Sequence, residues 1–247
     1  MKLAVVAITR HGVALAGRIV AALPGTQLFA PEKFAAEAAA AAPGAAHGYA
    51  GKVGDQVPAL FAAFDGLVAI VSLGAVVRLI APHLRGKEID PAVVVIDEAG
   101  QFAIPVLSGH LGGANALAGH LATALGATPV LTTASDARQT LAVDLLGREL
   151  GWTFEATHAE IVRVSAAVVN DEPVALVQEA GSADWWTRHA NGRCLPLPAN
   201  LHCYSRLEEI DPERFAAVLW ISRRELPAAY AARLAGKRII YRPDAKA

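Results

Sequence analysis

The stretch Leu107-Ser108-Gly109-His110-Leu111-Gly112-Gly113-Ala114-Asn115 sets three glycines and one histidine between an apolar run and a helical pattern. Glycine lets the backbone turn sharply and approach a ligand, and the first N–H groups of the following helix can receive an anion. An imidazole in such a loop can exchange a proton near neutral pH. The same residues also suit a tight strand-to-helix connection in which His110 is a capping or structural residue. Several familiar chemistries are missing. No Lys-Ser/Thr pair follows Gly113 to make a triphosphate cradle, the dinucleotide glycine spacing is lacking, and Ser108 stands outside a Gly-x-Ser-x-Gly elbow.

Three other polar or glycine-bearing turns stand at strand ends: Thr9-Arg10-His11-Gly12, Ser72-Leu73-Gly74 and Thr133-Ala134-Ser135-Asp136. His110 and Asp136 are the acid/base candidates, because an imidazole and a carboxylate on neighbouring loops can orient one another. Asp136 equally suits an N-cap of the next helix. Arg78, one turn into a helix after Gly74, suits a bidentate carboxylate contact or a surface charge. His83, His120 and His158 read as structural or surface residues, and Asp97 and Glu98 as turn residues. Trp185 and Trp186 read as core of a small domain, with an apolar ligand wall as the other reading.

The elements that must hold these residues alternate. Leu3 to Thr9, Gly66 to Val71 and Ala92 to Ile96 are apolar, β-rich runs of the kind buried on both sheet faces. Helical patterns cover Val13 to Leu23, Gln56 to Phe64, Ala75 to about Leu84, and Ala114 to Leu125 with Gly126 as cap. Asp97-Glu98-Ala99-Gly100 predicts a hairpin that returns Gln101 to Leu107. A buried strand is expected at Thr128 to Thr132 and a helix at Ala137 to Leu150. The alanine-rich stretch 34–46 reads as a weakly held helix or an excursion without assigned function. This rhythm predicts an α/β fold, a mostly parallel three-layer sheet domain over 1–150 followed by a smaller α/β domain over 151–247. Such sheets bind ligands outside the carboxyl ends of their strands, where the four turns are expected to gather.

Composition narrows the field. A hydrophobic fraction of 54% with a net charge of −1 suits a chain with a substantial core and no electrostatic footprint for nucleic acid or an anionic membrane. Two cysteines, Cys194 and Cys203, without Cys/His clustering, fit a reducing compartment and no structural metal. Arg10 and His11 cut the first apolar run too short for a signal peptide, and no run reaches a membrane span, so a cytoplasmic protein is expected.

Read together and in order, Ser72 to Pro82, Asp90 to Asp97, Leu107 to Asn115 and Thr132 to Asp136 resemble the cobalt-precorrin-5A hydrolases of the anaerobic cobalamin pathway. The resemblance covers about residues 3–150 closely and the rest more loosely, as the family's middle domain. It implies opening of the δ-lactone of a cobalt corrinoid and release of acetaldehyde, with the cobalt carried by the substrate and no protein cofactor. It further implies His110 as general base, backbone N–H groups around Gly112 and Gly113 as oxyanion donors, and Asp136 orienting the base or a water. Ser72, Arg78 and Asn115 would hold macrocycle carboxylates, with Gly74, Ser108, Gly109 and Thr133 as further substrate contacts. Many relatives carry a further C-terminal domain, so either a separate protein supplies it or the chemistry does without it; homo-oligomerisation is left open. Two rivals stand beside this reading: a non-catalytic corrinoid carrier, and a flavodoxin-like nucleotide binder with phosphate at Gly109 to Gly113.

Overall fold

The computed structural model describes residues 1–86, 89–186 and 196–244, and Cys194 lies outside the described residues. Two compact units make up the chain, Met1–Leu131 and Thr132–Ala247.

In the first unit, β1 (Leu3–Ala7), β2 (Gln27–Pro31), β3 (Ala46–Tyr49), β4 (Gly66–Ile70), β5 (Ala92–Ile96), β6 (Phe102–Leu107) and β7 (Thr128–Pro129) form one sheet, ordered β3-β2-β1-β4-β5-β6-β7. Pairing is parallel from β3 to β5; β6 runs antiparallel to β5, and β7 follows β6. Alternate strand residues point to opposite faces. Val5, Val68, Val94 and Ile96 therefore pack with α1 (Arg10–Ala22), α2 (Ala35–Ala41) and α5 (Ala114–Leu125). Val6, Leu67, Val93 and Val95 pack with α3 (Val53–Ala63) and α4 (Leu73–Ile80). The expected three layers follow from this two-sided burial.

Two stretches of this unit differ from the sequence expectation. The alanine-rich stretch is a packed element: a Cβ on Gly17 would stand 2.7 Å from Ala41 Cβ, so α1 and α2 touch through small residues. The strand expected at Thr128 to Thr132 shrinks to two exposed residues, Thr128 and Pro129.

The second unit is a five-stranded sheet of β8 (Thr153–Glu155), β9 (Val174–Gln178), β10 (Leu201–Tyr204), β11 (Ala217–Ile221) and β12 (Arg238–Arg242), ordered β10-β9-β11-β12-β8 with β8 alone antiparallel. Its helices are α6 (Ala134–Ala137), α7 (His158–Val169) and α8 (Ala228–Ala231). The helix expected over Ala137 to Leu150 is absent. After α6 the backbone turns through Gln139 at φ 53° and Gly147 at φ 73°. Leu141, Val143 and Leu146 thereby reach Trp152, Trp185 and Trp186 in the second core. For the same reason the two units part at Leu131 rather than near residue 150. Trp185 and Trp186 are buried, and the Trp185 indole N–H donates to Gln178 Oε1 at 3.0 Å, as a core role requires. No helix among the described residues is long and apolar enough to cross a membrane.

Candidate functional site

The glycine loop is built around its own backbone. Ala114 N–H donates to Ser108 O at 3.1 Å, Asn115 N–H to Gly109 O at 3.0 Å, and Gly113 N–H to His110 O at 2.9 Å. The first N–H groups of α5 thus close the loop, and the Gly113 N–H is bonded within it. Two glycines are fixed by space: a Cβ on Gly112 would lie 2.3 Å from Ser108 Cβ, and one on Gly109 would lie 2.8 Å from Asn115 Oδ1. Asn115 is buried, with its side-chain amide close against Gly109. Ser108 adopts φ 56°, a left-handed conformation costly for a residue with a Cβ, and its Oγ donates to Asp90 O at 2.9 Å. Strain of this kind collects at working sites. His110 is half-buried on this frame.

Strand direction decides which candidates share the site. β6 ends at Leu107, opposite Val93 at the start of β5, so Ser108 to Gly113 stand at the amino edge of the parallel strands. Ser72 and Gly74 follow β4 at the carboxyl edge. The five residues of β5 separate those edges by about 16 Å at roughly 3.3 Å per residue. The hairpin that was legible in the sequence therefore carries its glycine loop to the edge of the first unit's sheet opposite the Thr9 and Ser72 turns. Arg78 is exposed, and its guanidinium donates back to Gly74 O at 3.0 Å.

At the carboxyl edge the structure adds a contact that sequence reading did not foresee. Strand order reverses between β1 and β4, the position where doubly wound sheets open a crevice. There Thr9 Oγ1 caps α1, accepting from Gly12 N–H at 3.0 Å, and donates to Glu98 Oε1 at 2.5 Å. Glu98 is thus a clasp between two loops as well as a turn residue, a pairing 89 positions apart that no local pattern announces.

Thr133 and Asp136 lie in the second unit. The Thr133 hydroxyl donates to the Asp136 carboxylate across the first turn of α6; Thr133 holds the N-cap position and Asp136 lies inside the helix, so Asp136 is not the N-cap that its spacing also suited. Elsewhere in this unit the carboxyl ends of β9 and β10 flank a cleft of about 410 Å³. Glu179 at its floor has a side chain only 9% exposed. Its carboxylate accepts from Leu207 N–H at 2.9 Å and from Ser222 Oγ at 2.7 Å, with Arg224 Nη1 3.6 Å away. Burial raises the Cys203 thiol in the same cleft above its usual range. Among the described residues no three His, Cys, Asp or Glu side chains converge as a metal site.

Comparison with known proteins bears on both units. Residues 55–136 match the family model described as Cobalamin synthesis G N-terminal, and residues 141–243 match that of the Cobalamin biosynthesis central region. A Priestia megaterium protein named cobalt-precorrin-5A hydrolase is 42% identical over 240 residues, 97% of this chain and 62% of that protein. A Salmonella typhimurium protein of the same name is 39% identical over 184 residues, 74% of this chain and 48% of that protein. The chain thus spans less than two thirds of these curated relatives. A solved structure described as a homologue of cobalamin biosynthesis protein G from Sulfolobus solfataricus aligns with a TM-score of 0.48 at 18% identity, over 98% of this chain and 60% of that one.

Proposed function

This chain belongs to the cobalamin-biosynthesis G family, and we propose that it catalyses or takes part in the hydrolysis of cobalt-precorrin-5A. The observation that carries the reading is the 42% identity, over 97% of this chain, to a protein named cobalt-precorrin-5A hydrolase. In this reading water adds to the δ-lactone carbonyl, the acyl C–O bond breaks, and a carbinol is exposed on the methylated meso carbon. Loss of the carbinol proton then drives cleavage of the adjoining carbon–carbon bond. Acetaldehyde leaves, and the bonding electrons return to the macrocycle. The cobalt belongs to the substrate, and the reaction is assigned no further cofactor.

His110 is proposed to take the proton of the attacking water. It is the titratable side chain carried by the strained Ser108 loop, whose Ser108 is tied to the residues preceding β5. With Gly113 N–H committed to His110 O, the loop's contribution to the oxyanion is assigned to Gly112 N–H. Asp136, which accepts from the Thr133 hydroxyl in the first turn of α6, is not assigned the proton.

Incubation with cobalt-precorrin-5A should release acetaldehyde, read as NADH consumption with an added alcohol dehydrogenase. Binding without release would favour the carrier. Removing a general base typically costs about 10²- to 10⁴-fold, so His110→Ala should lower the release rate at least 100-fold. Release near the wild-type rate would remove His110 from the base's role.

A further inference from the structure

The cleft in the second unit stands beside the point where its sheet reverses strand order. From β9 the chain crosses to β10 on one side, then to β11 and β12 on the other. Ligands of doubly wound sheets enter at the carboxyl ends beside such a reversal, and about 410 Å³ suits a small group. Glu179 forms the floor at the reversal itself, bonded to Ser222 just after β11. Its charge is offset by Leu207 N–H and Arg224, so the cleft is not closed to an anion.

Two arginines neighbour the residues that line the cleft. Arg206 follows the lining residue Ser205, and Arg224 stands 3.6 Å from the lining residue Glu179. Between them lies one carboxylate, Glu208: Oε1 accepts from Arg224 Nη2 at 2.7 Å, and Oε2 stands 3.6 Å from Arg206 Nε. All three side chains are exposed, at 43% for Glu208, 46% for Arg224 and 67% for Arg206. The Arg224 contact is a charge-assisted hydrogen bond and the Arg206 contact an ion pair without one; exposed pairs of this kind are weak. Glu208 therefore occupies a place that an incoming carboxylate can take at little cost.

We propose that this cleft is a carboxylate subsite, in which an acetate or propionate arm of a corrinoid replaces Glu208 between Arg206 and Arg224 and lies against Tyr204 and Ser205. The corrinoid identity rests on the function proposed above; the carboxylate chemistry rests on the arginine pair. Neither residue lies in the region that the glycine loop brings to the first unit.

The test uses the full chain with two corrinoid probes, cobyrinic acid with free carboxylate arms and cobinamide with amidated arms, titrated by absorbance. Cobyrinic acid should bind at least tenfold more tightly than cobinamide, and Arg206→Ala with Arg224→Ala should remove that preference. In turnover of cobalt-precorrin-5A the double variant's loss should fall on KM. Glu208→Gln keeps the shape but withdraws the internal competitor, so it should tighten cobyrinic acid binding several-fold; a merely structural Glu208 would not. Equal binding of cobyrinic acid by wild type and double variant, with unchanged thermal unfolding, overturns the subsite even if acetaldehyde is released. Arginine-dependent binding by a chain that releases no acetaldehyde upholds the subsite and sinks the hydrolase reading instead.

Discussion

Gly112 holds the most crowded position of the Ser108 loop. Any side chain there would enter the space of Ser108 Cβ, 2.3 Å from the added carbon, and of Ser108 O at 2.7 Å. Ser108 cannot retreat readily, because its left-handed backbone and its bond to Asp90 O already fix it. Forcing a methyl group into a packed site costs about 1–3 kcal/mol. Gly112→Ala should therefore lower the stability of the first unit by about 2 kcal/mol, measured by far-UV circular dichroism on denaturant titration. Unchanged stability would show that the loop can open without cost. The sequence made the glycines visible here but not their reasons: Gly109 and Gly112 serve internal packing, a fact that depends on where Asn115 and Ser108 sit and not on spacing.

At the scale of elements, legibility followed the range of the forces involved. The parallel strands were readable because runs such as Ala92 to Ile96 are apolar on both faces. The hairpin was readable from its turn, and the end of α5 from Gly126. Strand direction was the consequence that local reading passed over, since the reversal of β6 moves Ser108 to the edge opposite Ser72. The missing helix after α6 has the same origin: its leucines have helical spacing, but contact with Trp152 bends the chain and overrides propensity. Where a local motif and the tertiary packing agree, an element can be tested alone. In α7, Thr157 Oγ1 accepts from Glu160 N–H while Glu160 Oε2 accepts from Thr157 N–H at 2.8 Å, a reciprocal capping box. Burial alone would raise the Glu160 carboxyl, but the Thr157 N–H and hydroxyl and the Gly236 N–H outweigh it and hold the group below its ordinary range. The folded state therefore favours the ionised form. Its contribution is present above the unfolded carboxyl pKa of about 4.3 and is lost as pH falls through the lowered folded value. Glu160→Gln should cost about 1 kcal/mol at pH 7. The difference from wild type should narrow below about pH 4 in acid titrations of stability; a constant difference would place the effect in packing rather than charge.

The division of the whole chain at Leu131 can be tested through its aromatic residues. Trp152, Trp185, Trp186 and Trp220 are all in the second unit, so indole fluorescence reports that unit, while far-UV circular dichroism reports both. The segment between residues 132 and 150 completes the second core through Leu141, Val143 and Leu146, each under 7% exposed. It is also tied there by Tyr241, whose fully buried hydroxyl donates to Val143 O at 2.8 Å. Burial raises that phenol well above its ordinary range, so it remains a neutral donor. Each buried aliphatic side chain contributes about 1.5–3 kcal/mol, and the hydrogen bond about 1 kcal/mol. A fragment of residues 132–247 should therefore unfold cooperatively with the same indole transition as the full chain. A fragment of residues 151–247 should lose about 5–10 kcal/mol or fail to fold, because Trp152 and Tyr241 would face water where three aliphatic side chains and a carbonyl now stand. Equal stability of the two fragments would return the boundary to residue 150 and make the intervening segment a linker.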